Sequence, residues 1–246
     1  SGGGNLTLDL YKSAGAGTQN AGLAIAGVAS SGQQCTCTLE YDGTSWSSGG
    51  ALAQARSDLA GTGTQNAALA AGGGSSSTNY TCTEEYDGTS WSNGGALAVS
   101  RYCLKGAGTQ NAGLAFGGVT GFNQECTCTE EYDGTSWSTG GALQVTRRDL
   151  SGAGESQTAA VAFGGASSNS TCTEEYDGSS WSTGAAMNVG RCCSAGNGSQ
   201  GFALGSGGQI SGQNATCTEE YSLTTVYTPK KTFEYDDTTG DVDISG

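Results

Sequence analysis

An all-β chain of five repeated units, each a sheet of four antiparallel strands, is what three observations predict. The stretch CTEEYDGTSW at residues 82–91 returns at 37–46, 128–137 and 172–181 unchanged or with a single change, and a fifth copy at 217–226 keeps CTEEY alone. Its tyrosine recurs at Tyr41, Tyr86, Tyr132, Tyr176 and Tyr221, in steps of 45, 46, 44 and 45 residues. That period is too long for one turn of a small solenoid and fits one four-stranded propeller blade. Finally, 44 Gly and a single Pro point to many tight turns and close strand contacts rather than to a Pro-rich linker.

The elements follow in order. In residues 1–12 the run Leu6, Leu8, Leu10 alternates with polar neighbours, the period of a strand. It stands before Gly15 as GGALAVSR (94–101) stands before Gly106, so the chain opens with the last strand of a unit and closes the ring with it. GAGTQNAGLAIAG from Gly15 recurs from Gly61, Gly106, Gly152 and Gly196. A half rich in small residues, a polar turn and a half alternating Leu114 with Phe116, or Val161 with Phe163, make a hairpin. A variable loop follows, such as VTGFNQE (119–125) or ASSNS (166–170); CTEEY is the third strand, Asp-Gly with Thr and Ser the tight turn, and Trp starts the fourth strand. ALAQARSDLA (51–60) has helix-forming composition, but its counterparts carry β-branched residues, Gly and paired Cys, so strand or loop is expected. The units span 13–58, 59–103, 104–149, 150–193 and 194–226. The tail, 227–246, reads as one extra β-hairpin from Lys231 to Tyr235 and Val242 to Ser245, packed on the ring or on a neighbouring subunit.

An Arg, a hairpin ending in a Gly pair, a later Tyr-Asp and a Trp soon after it resemble the kelch repeat. Here they are Arg101, Gly117 with Gly118, Tyr132 with Asp133, and Trp137. The resemblance covers roughly residues 1–226 and implies a five-bladed kelch-like β-propeller; a sixth blade stays open if the tail adds strands. Leu10 replaces the Arg of the first copy and Val226 the Trp of the last, as expected where strands from both termini close a ring. The style of repeat also resembles virion-associated proteins of tailed phages. Some kelch-type enzymes, such as galactose oxidase, hold copper partly through His; this chain has no His, so that function does not carry over.

Composition narrows function further. Nine basic against 23 acidic residues give a net charge of -14, which repels phosphate backbones and argues against nucleic acid. No run approaches 18 apolar residues, so no membrane insertion is expected. No charged-then-apolar leader precedes Ser1, so either a leader has been removed or release uses another route, such as lysis around an assembled particle. Without His there is no ordinary Ser or Cys triad and no imidazole metal site. The paired acids Glu84 and Glu85, Glu130 and Glu131, Glu174 and Glu175, Glu219 and Glu220 invite an acid-base or calcium reading. Alternation sends the two members to opposite faces, and a salt bridge to the repeat Arg is the reading preferred. No catalytic, metal or cofactor residue is therefore expected.

Ten Cys favour disulfides and an oxidising location, against the alternative of buried free thiols in an intracellular protein. Five share one repeat position: Cys37, Cys82, Cys128, Cys172 and Cys217. Units with a second Cys two residues earlier, Cys35 or Cys126, carry Asp58 or Asp149 just past the Arg, where the other units carry Cys103 or Cys193. The expected pairs are Cys82 with Cys103, Cys172 with Cys193, Cys35 with Cys37 and Cys126 with Cys128, and by elimination Cys192 with Cys217. Sequons stand at Asn5, Asn79, Asn169, Asn197 and Asn214, glycosylated if the host has the machinery and idle in a bacterial virus. The reading is a non-enzymatic, extracellular or virion-surface structural or adhesive module that assembles through its termini into a homo-oligomer, filament or particle, or meets a surface glycan or receptor. The alternative is a secreted, lectin-like multivalent binder; the loops between second and third strands would display its binding residues.

Overall fold

A computed structural model describes residues 3–75, 77–121, 123–165 and 170–222, together with the backbone of 232–235 and 242–245. All regular structure in it is β. The first blade is Ala14–Thr18, Ala21–Ile25, Thr38–Tyr41 and Trp46–Ser48. The second is Ala60–Thr64, Ala67–Ala71, Thr83–Tyr86 and Trp91–Asn93. The third is Lys105–Gly108, Gly113–Phe116, Thr129–Tyr132 and Trp137–Thr139, and the fourth Ser151–Ser156, Ala159–Phe163, Thr173–Tyr176 and Trp181–Thr183. The fifth shows Ala195–Gly198, Phe202–Ser206 and Thr218–Ser222; its fourth strand, expected near Val226, lies outside the described residues. Strands within each blade pair antiparallel in chain order, the meander that short connections require.

Local chemistry sets the connections. Tyr86 pairs with Trp91 across a four-residue turn in which Asp87 Oδ1 accepts the Thr89 and Ser90 amides, both at 2.8 Å, and Gly88 takes φ 91°. The short acceptor side chain closes the turn and the glycine supplies the left-handed residue it needs. Asp42, Asp133 and Asp177 repeat the arrangement. Residues 51–59, whose composition suits a helix, are an extended connection instead. Its amide at Leu52 donates to Thr36 O, and Leu97 and Leu143 do the same to Thr81 and Thr127, each Leu being buried.

The core lies between blades, not within them. Leu23 and Ile25 of the first blade meet Ala68, Ala70 and Tyr86 of the second; Leu114 and Phe116 of the third meet Ala160, Ala162, Tyr176 and Trp181 of the fourth. Each sheet thus hides its apolar faces only against its neighbours, which is why one unit alone would not be stable. Small residues set the spacing: a Cβ on Gly113 would stand 2.7 Å from Leu69 Cδ2. Inner strands pack side by side in chain order, the first on the second and so on to the fifth. No comparable packing joins the fifth inner strand to the first among the described residues. Leu204 is 36% exposed where its counterpart Leu114 is 1%, and Phe202 is 77% exposed.

The N-terminal run is shorter as a strand than its alternation suggests. Only Leu10–Tyr11 pairs, with Val28–Ala29 of the first unit, just as Arg101–Tyr102 pairs with Val119–Thr120; Leu6 and Leu8 are exposed. The C-terminal hairpin is present as Thr232–Tyr235 paired with Val242–Ser245.

Candidate functional site

The repeated acids are absorbed by structure. In four units the first Glu meets the Arg that enters the blade: Arg56 with Glu84 and Arg101 with Glu130 at 3.0 Å, and Arg147 with Glu174, and Arg191 with Glu219. All four Arg are buried, and each also donates to a Gly-pair carbonyl and to the repeat Cys carbonyl, as Arg101 does to Gly117 O and Cys128 O. The second Glu faces the next blade. Glu40, Glu85, Glu131 and Glu175 accept the hydroxyls of Tyr86, Tyr132, Tyr176 and Tyr221. Beside this contact the indoles of Trp91, Trp137 and Trp181 donate to Thr38, Thr83 and Thr129 of the preceding blade at 2.9 Å. The recurring aromatics are therefore clamps between blades. Burial first, and the neighbouring Glu next, push the Tyr132, Tyr176 and Tyr221 phenols up to about 12.

What remains free to act lies where the chain enters each innermost strand. Lys12, Asp58, Cys103, Asp149 and Cys193 hold one repeat position, all with φ between 50° and 59°. Their backbones form a staircase around the inner strands: Asp58 N donates to Lys12 O at 3.0 Å, Cys103 N to Asp58 O at 2.8 Å, Asp149 N to Cys103 O at 3.1 Å and Cys193 N to Asp149 O at 2.7 Å. The Lys12 ammonium sits 3.1 Å from Asp58 Oδ2; burial opposes its charge, but Asp58 outweighs that and holds its pKa above the usual value. Burial, with Asp149 beside it, pushes the Cys103 thiol up. Ligand atoms of Asp58, Cys103 and Asp149 lie within 4.8 Å of one another. With the Lys12 ammonium on Asp58 and Asp149 beside the Cys103 thiol, we read a hydrogen-bonded polar plug. The alternation of Asp with Cys at this position was visible in the sequence; that the five positions meet around the inner strands was not.

Above the plug, a cavity of about 490 Å3 opens on the loop face, shared by the first three units. Lys12 and Asp58 line it, with Asn79 and Asn123 from the variable loops and with Tyr11 and Tyr102, which follow the strand-entering Leu10 and Arg101 in sequence. Tyr102 donates to Asn123 Oδ1 at 3.2 Å. The variable loops of the first three units gather at this cavity, but Tyr11 and Tyr102 come from the positions just after Leu10 and Arg101, outside the loops themselves.

The cysteines divide by environment. Cys35 and Cys37 are bonded, as expected. Cys82 and Cys172 carry free thiols against Arg56 and Arg147, at 2.9 and 3.0 Å, while Cys103 and Cys193 continue past the Arg to the staircase. The start of the third strand and the exit of the fourth do share one end of a blade, since Gly94 N donates to Thr83 O, but nine further residues carry Cys103 onto the inner strands. Cys126 and Cys128 are free thiols joined by a hydrogen bond, which lowers the Cys126 pKa; Cys192 Sγ lies 3.5 Å from Cys193 Sγ, and Cys217 is free and exposed. Of the sequons, Asn5, Asn197 and Asn214 are exposed and Asn79 is half-buried; Asn169 lies outside the described residues.

No protein-family profile matches the chain, and no curated protein matches it either. Among solved structures it is similar to YjhT, with a TM-score of 0.76 at 11% identity over 96% of this chain and 84% of that one. Identity this low shows the fold alone: the chain is a β-propeller.

Proposed function

We propose that the protein is a non-enzymatic kelch-type propeller that serves as an adhesive or display module on an extracellular or virion surface. The observation that carries this reading is the division of labour among its residues. The polar and aromatic residues repeated in register are spent on holding blades together, Arg on Glu and Tyr and Trp on the preceding sheet, whereas residues that differ among units, including the variable loops of the first three, line one polar cavity. A scaffold fixed in this way with variable loops on one end is the arrangement binding proteins use. The engaged glutamates also speak against acid-base chemistry, since among the described residues all the paired ones but Glu220 are already committed to an Arg or a Tyr. Immunogold microscopy of the native source with antibody to the chain tests the proposal: a regularly spaced label on virions, filaments or cell envelopes is expected, and a diffuse cytoplasmic label would overturn it.

A second reading, a lectin-like binder, is favoured by Tyr11 and Tyr102 at the cavity. Amphipathic rings beside Asn side chains offer stacking and hydrogen bonding to a sugar. On a glycan array, binding lost in Tyr102→Ala would support it; binding unchanged by Tyr11→Ala and Tyr102→Ala would remove it.

A further inference from the structure

One code joins the first four blades, and its Tyr-Glu half joins the fourth to the fifth. A third strand reads Thr-x-Glu-Tyr; its Thr accepts the next blade's Trp indole, its Glu accepts the next blade's Tyr hydroxyl, and its own Tyr donates backward. The pattern occurs at 38–41, 83–86, 129–132, 173–176 and 218–221. It occurs a sixth time in the tail, Thr232-Phe233-Glu234-Tyr235, followed by Asp236 as the first four Tyr are followed by Asp42, Asp87, Asp133 and Asp177. The backbone register agrees: Tyr235 pairs with Val242 and Glu234 with Asp243, as Tyr86 pairs with Trp91 and Glu85 with Ser92.

The faces that such a strand would fill are open. No acceptor stands at the Tyr41 hydroxyl or the Trp46 indole among the described residues, although the equivalent groups of the next three blades all have one. At the other edge Thr218 is exposed and Glu220 accepts no next-blade Tyr among the described residues. The chain already approaches the first blade as if leaving a preceding one. A Cβ on Gly3 would stand 2.8 Å from Tyr41 Oη, and the same construction at Gly49, Gly94 and Gly140 gives 2.7, 2.7 and 2.8 Å to Tyr86, Tyr132 and Tyr176. Polarity fits too: a fourth strand ends where a third strand begins, Gly94 N donating to Thr83 O, and four residues later Ala98 N meets Glu130 of the next blade at 2.6 Å. A chain leaving the fifth blade can therefore step straight into the third strand of another without building the two inner strands.

We propose that the 232–245 hairpin is the outer half of a sixth blade and docks, within its own chain, between the fifth blade and the first. Glu234 accepts the Tyr41 hydroxyl, Thr232 accepts the Trp46 indole, and Tyr235 donates to Glu220. Phe233 stands where the first Glu would be, in a copy with no Arg before it, as Leu39 does in the first blade. A lone hairpin is marginal in water, and docking supplies the burial it lacks.

Photo-crosslinking of the full chain tests this. With Tyr41→p-benzoylphenylalanine, irradiation should join position 41 to the 232–245 peptide in a product that runs as a monomer, and Glu234→Lys should reduce that product several-fold. Tyr132→p-benzoylphenylalanine, which should join the 83–86 strand, shows that the ring has folded; if the Tyr41 variant does not fold, Trp46→p-benzoylphenylalanine takes its place. A crosslinked dimer through the same peptide would put the hairpin on a second copy and overturn the proposal. So would the absence of that peptide among the products while the control crosslinks.

Discussion

The Arg-Glu pair is the residue on which the units differ most tellingly. Four units bury it; in the first, Leu10 stands at the Arg position and Leu39, 1% exposed, at the Glu position. Both partners have changed together, as physics requires, because removing one leaves an uncompensated buried charge at a cost of about 3–5 kcal/mol, whereas replacing both by apolar groups is often neutral. Arg101→Leu should accordingly lower stability by about 3–5 kcal/mol in urea unfolding, and adding Glu130→Leu should restore most of it. Equal losses in the single and double variants would deny the pairing. The clamps make a second claim at this scale. The Tyr132, Tyr176 and Tyr221 phenols, raised to about 12 by burial and by the facing Glu, hold their protons more tightly folded than unfolded, where a tyrosine titrates near 10. Their contribution is complete below pH of about 10 and is lost as pH rises toward about 12. Melting temperatures measured across that window should fall, less steeply in Tyr132→Phe than in the parent. At the acid end, Asp87 and Asp177, held at about 2 chiefly by the backbone amides of Ser90 and Ser180, stabilise their turns above the ordinary Asp range, and that support goes as pH falls toward about 2.

At the scale of the element, the small residues of the first two strands of each blade decide how closely blades approach. Gly113 faces Leu69, and Gly152 faces Phe116, whose Cζ would lie 2.5 Å from an added Cβ. Gly113→Val should wedge the second and third blades apart at a cost of about 1–3 kcal/mol, read as a drop in the urea midpoint, and a neutral result would mean that the blades are not in this register. The strands themselves were legible because a period of two and the Asp-Gly turn are local properties. The extended course of 51–59 was legible only by comparing copies, since its own composition favours helix. The short pairing of Leu10–Tyr11 was not, because alternation reports which faces a segment could hide and not whether a partner strand is there to receive it.

At the scale of the molecule, repetition gave the architecture and hid the site. A residue that recurs in every unit has a structural task, so the sequence displays the clamps; residues that differ among units carry no pattern, and Tyr11, Lys12, Asn79 and Tyr102 come together only when consecutive blades stack. The disulfide expectation met the same obstacle. Separation along the chain places Cys82 and Cys103 at one end of a blade, yet the radial distance between blade and inner strand, which takes one to Arg56 and the other to Asp149, has no counterpart in linear spacing. What unites the account is that each sheet is completed by the next in chain order. A crystal structure of the full chain measures this most directly. It should show five sheets with inner strands adjacent in sequence order and the Tyr86, Tyr132, Tyr176 and Tyr221 hydroxyls each on the glutamate of the sheet before. Tyrosines bonded within their own sheet, or to a sheet not adjacent in sequence, would contradict it.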